Sequence, residues 1–371
     1  MALGLRRAGF GPARVYERDI YAQKTLEANA LDEVVDPARE LHRGDVQLVE
    51  WGEVPAGIDL LAGGVPCQPF SFAGKHLAEQ DGRNMFPEFF RAAATLRPRA
   101  MFVENVSGLA RASFRPYLDY VIRRMADPSV GPLHDEIWQD HDARLRRHQT
   151  SEGYQPEYTV IWNCLDAADY GVPQNRKRIF IVATRADLPE FVFPPTTHSR
   201  SALLRSLRTG AYWERHGIEP RPVSLGKGRE RAEDGTAPWV TVRDALATLP
   251  PACPRDCGNR LQHWQIPGAR SYYGHSGSQL DWPSKSLKAG VNGVPGGENT
   301  VVDEGGIRYF TLREAARIQT FPDTHWFHGS RKQITKQIGN AVPCLLAEVL
   351  ARRLHTLLYP IEQPPANHDH A

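Results

Sequence analysis

Two short runs constrain this chain most: GIDLLAGG (57–64) and RAMFVEN (99–105). Each is apolar almost throughout, the pattern of a strand buried on both faces within a parallel sheet. Around them, from residue 12 to about 185, β-branched runs alternate with amphipathic stretches. ARVYERD reads as a strand closed by Glu17 and followed by a helix over Ile20–Ala28. A further helix covers roughly Phe86–Leu96, and residues 158–184 hold two strand-like runs joined by a Gly-Val-Pro turn. This alternation predicts an α/β, doubly wound (Rossmann-like) sheet, with its chemistry at the carboxyl ends of the strands.

Between about 190 and 300 the character changes to prolines, glycines and isolated aromatics, which predicts a separate loop-rich region of short strands. Regularity returns at TLREAARIQTF, where Thr311 and Glu314 form a capping box and Phe321-Pro322 stops the helix. LLAEVLARRLHTLL (345–358) is an amphipathic helix, and residues 361–371 read as a disordered polar tail. A chain of 371 residues holds one large domain and a smaller one, or two of ordinary size. No apolar run approaches the ~18 residues of a membrane span, so a cytoplasmic, membrane-free protein is expected.

The net charge of +2 announces no nucleic acid, yet 37 of the 45 basic residues are arginine, whose forks suit phosphates and guanine edges. RRHQ, QNRKRIF and GKGRERA are the local clusters, the first and last equally readable as solvated faces. Five scattered cysteines argue against a disulfide framework. Cys253 and Cys257 form a C-x3-C pair near His263, but no second pair follows, and a loop without metal is the preferred reading.

Four constellations carry candidate chemistry. Cys67, between Pro66 and Gln68 at the end of a buried strand, is either a small core residue or a thiol aimed at a crevice. The prolines and the glycine-rich exit favour the second reading, since they fix one thiol's position. Glu104 ends the next strand, where an ionised carboxylate is costly without a partner. It is either a helix cap or an acid that donates to a substrate. Arg176 and Arg178 alternate in QNRKRIF, so both point to one strand face. In QIGNAVP, Gly339 and Asn340 form a turn before the last helix.

Together these segments resemble the DNA (cytosine-5) methyltransferases. GGVPCQPFS, RPRAMFVENV, GVPQNRKRIFIV, TLREAARIQTFP and QIGNAVP occur in the family's order, with a variable stretch between the third and fourth. DWPSKSLKAGVNGVPGGEN (281–299) looks like the end of a target-recognition segment. The resemblance implies a catalytic domain over 1–190 plus 301–360 and a recognition domain over 191–300. It implies Cys67 as the nucleophile on C6 of a flipped-out cytosine. Glu104 would hold the N3 and amine edge, Arg178 the O2 or nearby backbone, and Arg176 would position Glu104, the base or the thiolate. The implied methyl donor is S-adenosylmethionine, with Glu17, Asp45, Pro66, Met85, Asn340 and Val342 lining its site. Gln68, Ser71, Lys75, Arg83, Ser286 and Leu287 would meet the DNA, and the loop Ser71–Asn84 would close over the base.

The resemblance further implies a monomeric, nucleoid-associated bacterial modification enzyme, acting alone or beside a cognate restriction endonuclease. The family usually opens with a strand and a Phe-x-Gly-x-Gly-Gly loop, whereas this sequence begins in what looks like the following helix. A start annotated downstream of the true one, a genuine truncation and another segment filling the gap are the open alternatives. As printed, weak donor binding and a destabilised sheet are expected. A tRNA cytosine-5 methyltransferase and an inactive remnant that at most binds DNA are the competing readings. A nicotinamide dehydrogenase is set aside for want of a Gly-x-Gly-x-x-Gly turn.

Overall fold

The computed structural model describes residues 1–30, 36, 39–66, 84–222, 235–255, 261–270, 276–290 and 299–360. The chain opens with α1 (Ala2–Arg7), β1 (Val15–Glu17), α2 (Ile20–Ala28) and β2 (Leu41–Arg43). Next come β3 (Leu60–Gly64), α3 (Phe86–Leu96), β4 (Ala100–Val106), α4 (Arg115–Ala126), α5 (Trp138–Gln149), β5 (Tyr158–Asp166) and β6 (Lys177–Arg185).

The main sheet has the order β3-β4-β6-β5, with β3 parallel to β4 and β6 antiparallel to both β4 and β5. The pleat sends alternate residues to opposite faces, and both faces are covered. Met101, Val103, Ile179 and Ile181 pack with Phe86, Phe90, Leu118 and Val121 of α3 and α4. Ala100, Phe102, Phe180 and Val182 pack on the other side with Leu346, Leu350 and Leu354 of the last helix. Two buried faces explain why RAMFVEN and RIFIVAT are apolar without alternation.

The expected single sheet is divided. The parallel pair β1–β2 forms a sheet of its own, and among the described residues β4 is the only strand paired with β3. With one neighbouring strand, β3 is half-buried and Gly64 is exposed, where its apolar run predicted full burial.

The 190–300 region also departs from expectation. It contains β7 (His198–Ser199), α6 (Arg200–Thr209), α7 (Ala211–His216), β8 (Ala237–Pro238), α8 (Val242–Leu246) and β9 (Ser278–Gln279). Ser199 caps α6 by accepting from Ala202 N–H, and Gly210, in the left-handed region at φ 89°, separates α6 from α7. Leu203, Leu204, Leu207, Tyr212 and Trp213 give these helices a core of their own. Cys253 is disulfide-bonded, where the scattered cysteines argued against a disulfide.

The chain closes with β10 (Thr300–Asp303), β11 (Gly306–Tyr309), α9 (Leu312–Ile318), α10 (Arg331–Asn340) and α11 (Cys344–Leu358). The capping box of Thr311 and Glu314 is formed as expected. Gly339 and Asn340, expected in a turn, instead complete the last turn of α10. No helix of the described residues is long and apolar enough to cross a membrane.

Candidate active site

The parallel register of β3 and β4 sets Gly64 beside Glu104. Just beyond, Asn105 Nδ2 donates to the Val65 carbonyl at 3.0 Å, which locks the end of β3 to the end of β4. The Met85 N–H donates to the Pro66 carbonyl at 3.2 Å, so the chain leaves this point at Pro66 and returns to it at Met85. Cys67, Gln68, Ser71, Lys75 and Arg83, together with most of the expected closing loop, lie outside the described residues.

Glu104 is 8% exposed and leans over Gly64, its Oε2 lying 3.5 Å from where a glycine Cβ would stand. Arg178 Nε pairs with Glu104 Oε1 at 3.0 Å. Burial pushes the Glu104 carboxyl above the usual glutamate range, and the guanidiniums of Arg178 and then Arg176 only partly oppose it. An acid of this kind binds a proton more readily than a solvated glutamate. It can therefore donate a hydrogen bond to a substrate nitrogen and share the proton as charge develops there.

Arg176 lies two residues away and serves a different purpose. It is 1% exposed and donates to Leu287 O (3.0 Å), Gly339 O (2.7 Å), Ala341 O (3.1 Å) and Ser286 Oγ (3.2 Å). Its bonded acceptors are thus backbone carbonyls and one hydroxyl, while Glu104 pairs with Arg178. Burial lowers the Arg176 pKa, with the Arg178 charge second, and the nearby Glu104 charge acts the other way. Four acceptors compensate a buried cation that lacks a bonded carboxylate.

Those contacts relocate two residues expected at the DNA. Leu287 is 3% exposed and belongs to the core formed with Val301, Phe310, Ile334 and Ile338, so DNA contact through its side chain does not fit this geometry. Ser286 is half-buried and faces Arg176. The expected donor-lining residues also divide by exposure. Val342 is a core residue packed with Leu346, Asn340 is exposed, and Met85 packs partly buried against the α3 and α4 core.

Glu17 and Asp45 stand at the carboxyl end of β1–β2, where open α/β sheets take ligands. Glu17 Oε1 accepts from Asp19 N–H at 2.7 Å; Asp45 caps Gln47 N–H and pairs with Arg18 at 3.0 Å. Two carboxylates accept hydroxyl and amine donors, so this set fits the nucleoside half of S-adenosylmethionine.

Two functional candidates escaped the sequence reading. Gln174 and Gln319 are fully buried carboxamides joined to each other, Gln174 Nε2 donating to Gln319 Oε1 at 3.1 Å. Both sit inside conspicuous motifs, but a polar residue in a non-periodic segment carries no burial signal of its own.

The sequence pattern of the C-5 cytosine-specific DNA methylases matches residues 1–128 and 147–356. The type II methyltransferase M.NgoMIV of Neisseria gonorrhoeae is 31% identical over 358 residues, covering 95% of this chain and 93% of that one. M.Eco47II of Escherichia coli is 30% identical over 363 residues, covering 96% and 76%. Among solved structures, the Dnmt2 methyltransferase of S. pombe aligns over 98% of this chain and 96% of its own, with TM-score 0.54 at 15% identity, which speaks for the fold alone. Members of the matched family use S-adenosylmethionine as methyl donor. With the match spanning both the β3–β4 strand ends and the Arg176 pocket, the chain belongs to the C-5 cytosine-specific DNA methylases.

Proposed function

We propose that this chain methylates C5 of cytosine within a specific duplex DNA sequence, as the modification enzyme of a bacterial restriction system or as an orphan. The observation that carries the proposal is Glu104, a buried acid at the end of β4 whose carboxyl is pushed up by burial. It stands beside Gly64, three positions before Cys67 in the chain.

Cytosine C5 is a poor nucleophile. Addition of the Cys67 thiolate to C6 moves the ring electrons toward C5, and Glu104 stabilises the adduct by sharing its proton with N3. Bound S-adenosylmethionine would supply the electrophilic methyl group to C5, the broken S–CH3 bond leaving its sulfur as a neutral thioether. Removal of the C5 proton then returns electrons to the ring and expels the thiolate, leaving 5-methylcytosine. Arg178 holds Glu104 in place and keeps its charged form accessible. Glu17 and Asp45 accept the hydroxyls and amine of the donor's nucleoside.

Stacking in a duplex hides C6, so the base must be flipped out, and Gln68, Ser71, Lys75 and Arg83 belong to the segment that closes over it. Residues 191–300 supply target recognition, and 1–190 with 301–360 supply catalysis. The enzyme acts as a cytoplasmic, nucleoid-associated monomer, beside a cognate endonuclease where one exists.

DNA carrying 5-fluorocytosine tests the reading, because fluorine at C5 cannot leave as a proton does. With S-adenosylmethionine present, a covalent protein–DNA complex is expected from the wild type and none from Cys67→Ser. Trapping on a tRNA instead of DNA, or no trapping at all, contradicts the proposal.

A further inference from the structure

Gln319 occupies a junction of four segments. It follows α9, and its own carbonyl accepts from Cys344 N–H at 3.0 Å, at the start of α11. Its Nε2 donates to Ile338 O (2.6 Å) and Ala341 O (3.2 Å) at the end of α10. Its Oε1 accepts from Gln174, and Gln174 Oε1 accepts in turn from Leu287 N–H at 2.9 Å. The chain of amides thus runs from the end of α10 through Gln319 and Gln174 to the 284–289 segment.

Three further observations mark this junction as built. Thr320 adopts φ 60°, a strained conformation for a β-branched residue, and its hydroxyl bridges the Gln319 carbonyl and Leu345 N–H. Ser284 exchanges backbone bonds with Pro173 and Asn175, so the segment docks alongside the entry to β6. Gly339 lies so close to this segment that a Cβ there would come 2.4 Å from Ala289 N. Arg176 closes the circuit, since its guanidinium binds both Leu287 and Ala341.

We propose that Gln319 is a positioning residue for methyl transfer, acting through Gln174 to hold the 284–289 segment against the entry to β6. Residues 284–289 lie in the closing segment of the target-recognition region, so the inference rests on the function proposed above. The junction passes the docked position of that region to Arg176 and, two residues on, to the Arg178–Glu104 pair. An undocked recognition segment frees Arg176, and the acid pair then loses the fixed strand entry that aligns it. The relay therefore serves the rate of transfer more than the affinity for DNA.

The test uses the full chain with Gln319→Met, Gln174→Met and the double variant, since methionine keeps the volume and removes the amide bonds. Single-turnover transfer is expected to fall at least ~10-fold in each single variant, the scale of one lost buried hydrogen bond, with DNA affinity changed less than ~3-fold. The double variant is expected to be no slower than the worse single one, because the two amides act as one unit. Equal losses in affinity and rate, additive losses, or an unchanged rate overturn the relay. Gln174→Met, which removes fewer bonds, keeps the test valid if Gln319→Met fails to fold. A wild type that transfers no methyl group to any DNA overturns the underlying reading as well.

Discussion

The Glu104 site and the Arg176 pocket meet where Arg178, the partner of Glu104, and Arg176 stand two residues apart at the entry to β6, yet they solve opposite problems. At the first, a carboxylate is paired with one guanidinium, and burial still pushes the acid upward. At the second, a fully buried guanidinium is surrounded by carbonyls that join three segments. A buried charge with a single partner stays chemically responsive, whereas one whose two terminal nitrogens are held by four acceptors acts as a bolt. The difference separates a group that can exchange a proton from a group that fixes where the exchange occurs.

The largest effect should come from Glu104→Gln, which keeps the shape and removes the titrating proton. Single-turnover transfer is expected to fall by roughly 10²–10⁴, the usual span for a positioned acid, with the thermal transition little changed. Loss of folding in place of loss of rate would erase the contrast with Arg176. Arg176→Met should do the reverse, taking the guanidinium from the Leu287 and Gly339 carbonyls and leaving Ala341 O to Gln319 alone, at a cost of about 3 kcal/mol or more in denaturant unfolding. A stable Arg176→Met variant would show that the pocket is no bolt.

Two of the buried histidines sit in different cores, His141 on α5 and His325 beside Phe321 and Phe327. His141 is bonded to Tyr120 and to the Val130 carbonyl, and burial, followed by Arg124, pushes it down to about 4. His325, whose carbonyl accepts from Arg313, is pushed to about 4 by burial and then Arg313. The folded state keeps both neutral while the unfolded chain protonates near pH 6.5. Stability is therefore complete above that pH and falls as pH drops from about 6.5 to about 4, by roughly 3 kcal/mol per histidine at most. Urea unfolding across that range, repeated with His141→Gln and His325→Gln, shows which histidine carries the larger share. A flat profile in the parent protein would contradict both assignments. The smallest effect is expected from Gly339→Ala, which overpacks the 288–289 contact by about 1–3 kcal/mol. Calorimetry reads it, and a neutral result would show that the close approach is relaxed in solution.

The same contrast governs how much of the molecule was legible in its sequence. RAMFVEN and RIFIVAT are apolar because helices cover both faces of the sheet, and that burial is written residue by residue. The α9 capping box was readable for the same reason, since a local pattern fulfils a local need. Glu104 stood out as a carboxylate ending an apolar strand. The Arg176 pocket did not stand out, because its acceptors at 286–287 and 339–341 come from remote segments and are mostly backbone carbonyls. Leucine at 287 and glycine at 339 gave no sign that they meet there. The α6–α7 pair was missed for a different reason. Gly210 and Gly217 close short helices whose arginine-rich outer faces obscured the leucine spacing.

The central claim is that burial holds Glu104 ready to carry a proton while Arg176 serves as scaffold. Titration of the Glu104 side-chain carbon by ¹³C NMR, in protein labelled at glutamate and assigned with Glu104→Gln, tests it most directly. A midpoint above the ordinary glutamate value of about 4.3 is the expected result, rising further in Arg178→Met than in Arg176→Met because Arg178 is the larger opposing charge. A midpoint below that value would contradict the account, since the Arg178 pair would then hold Glu104 ionised throughout.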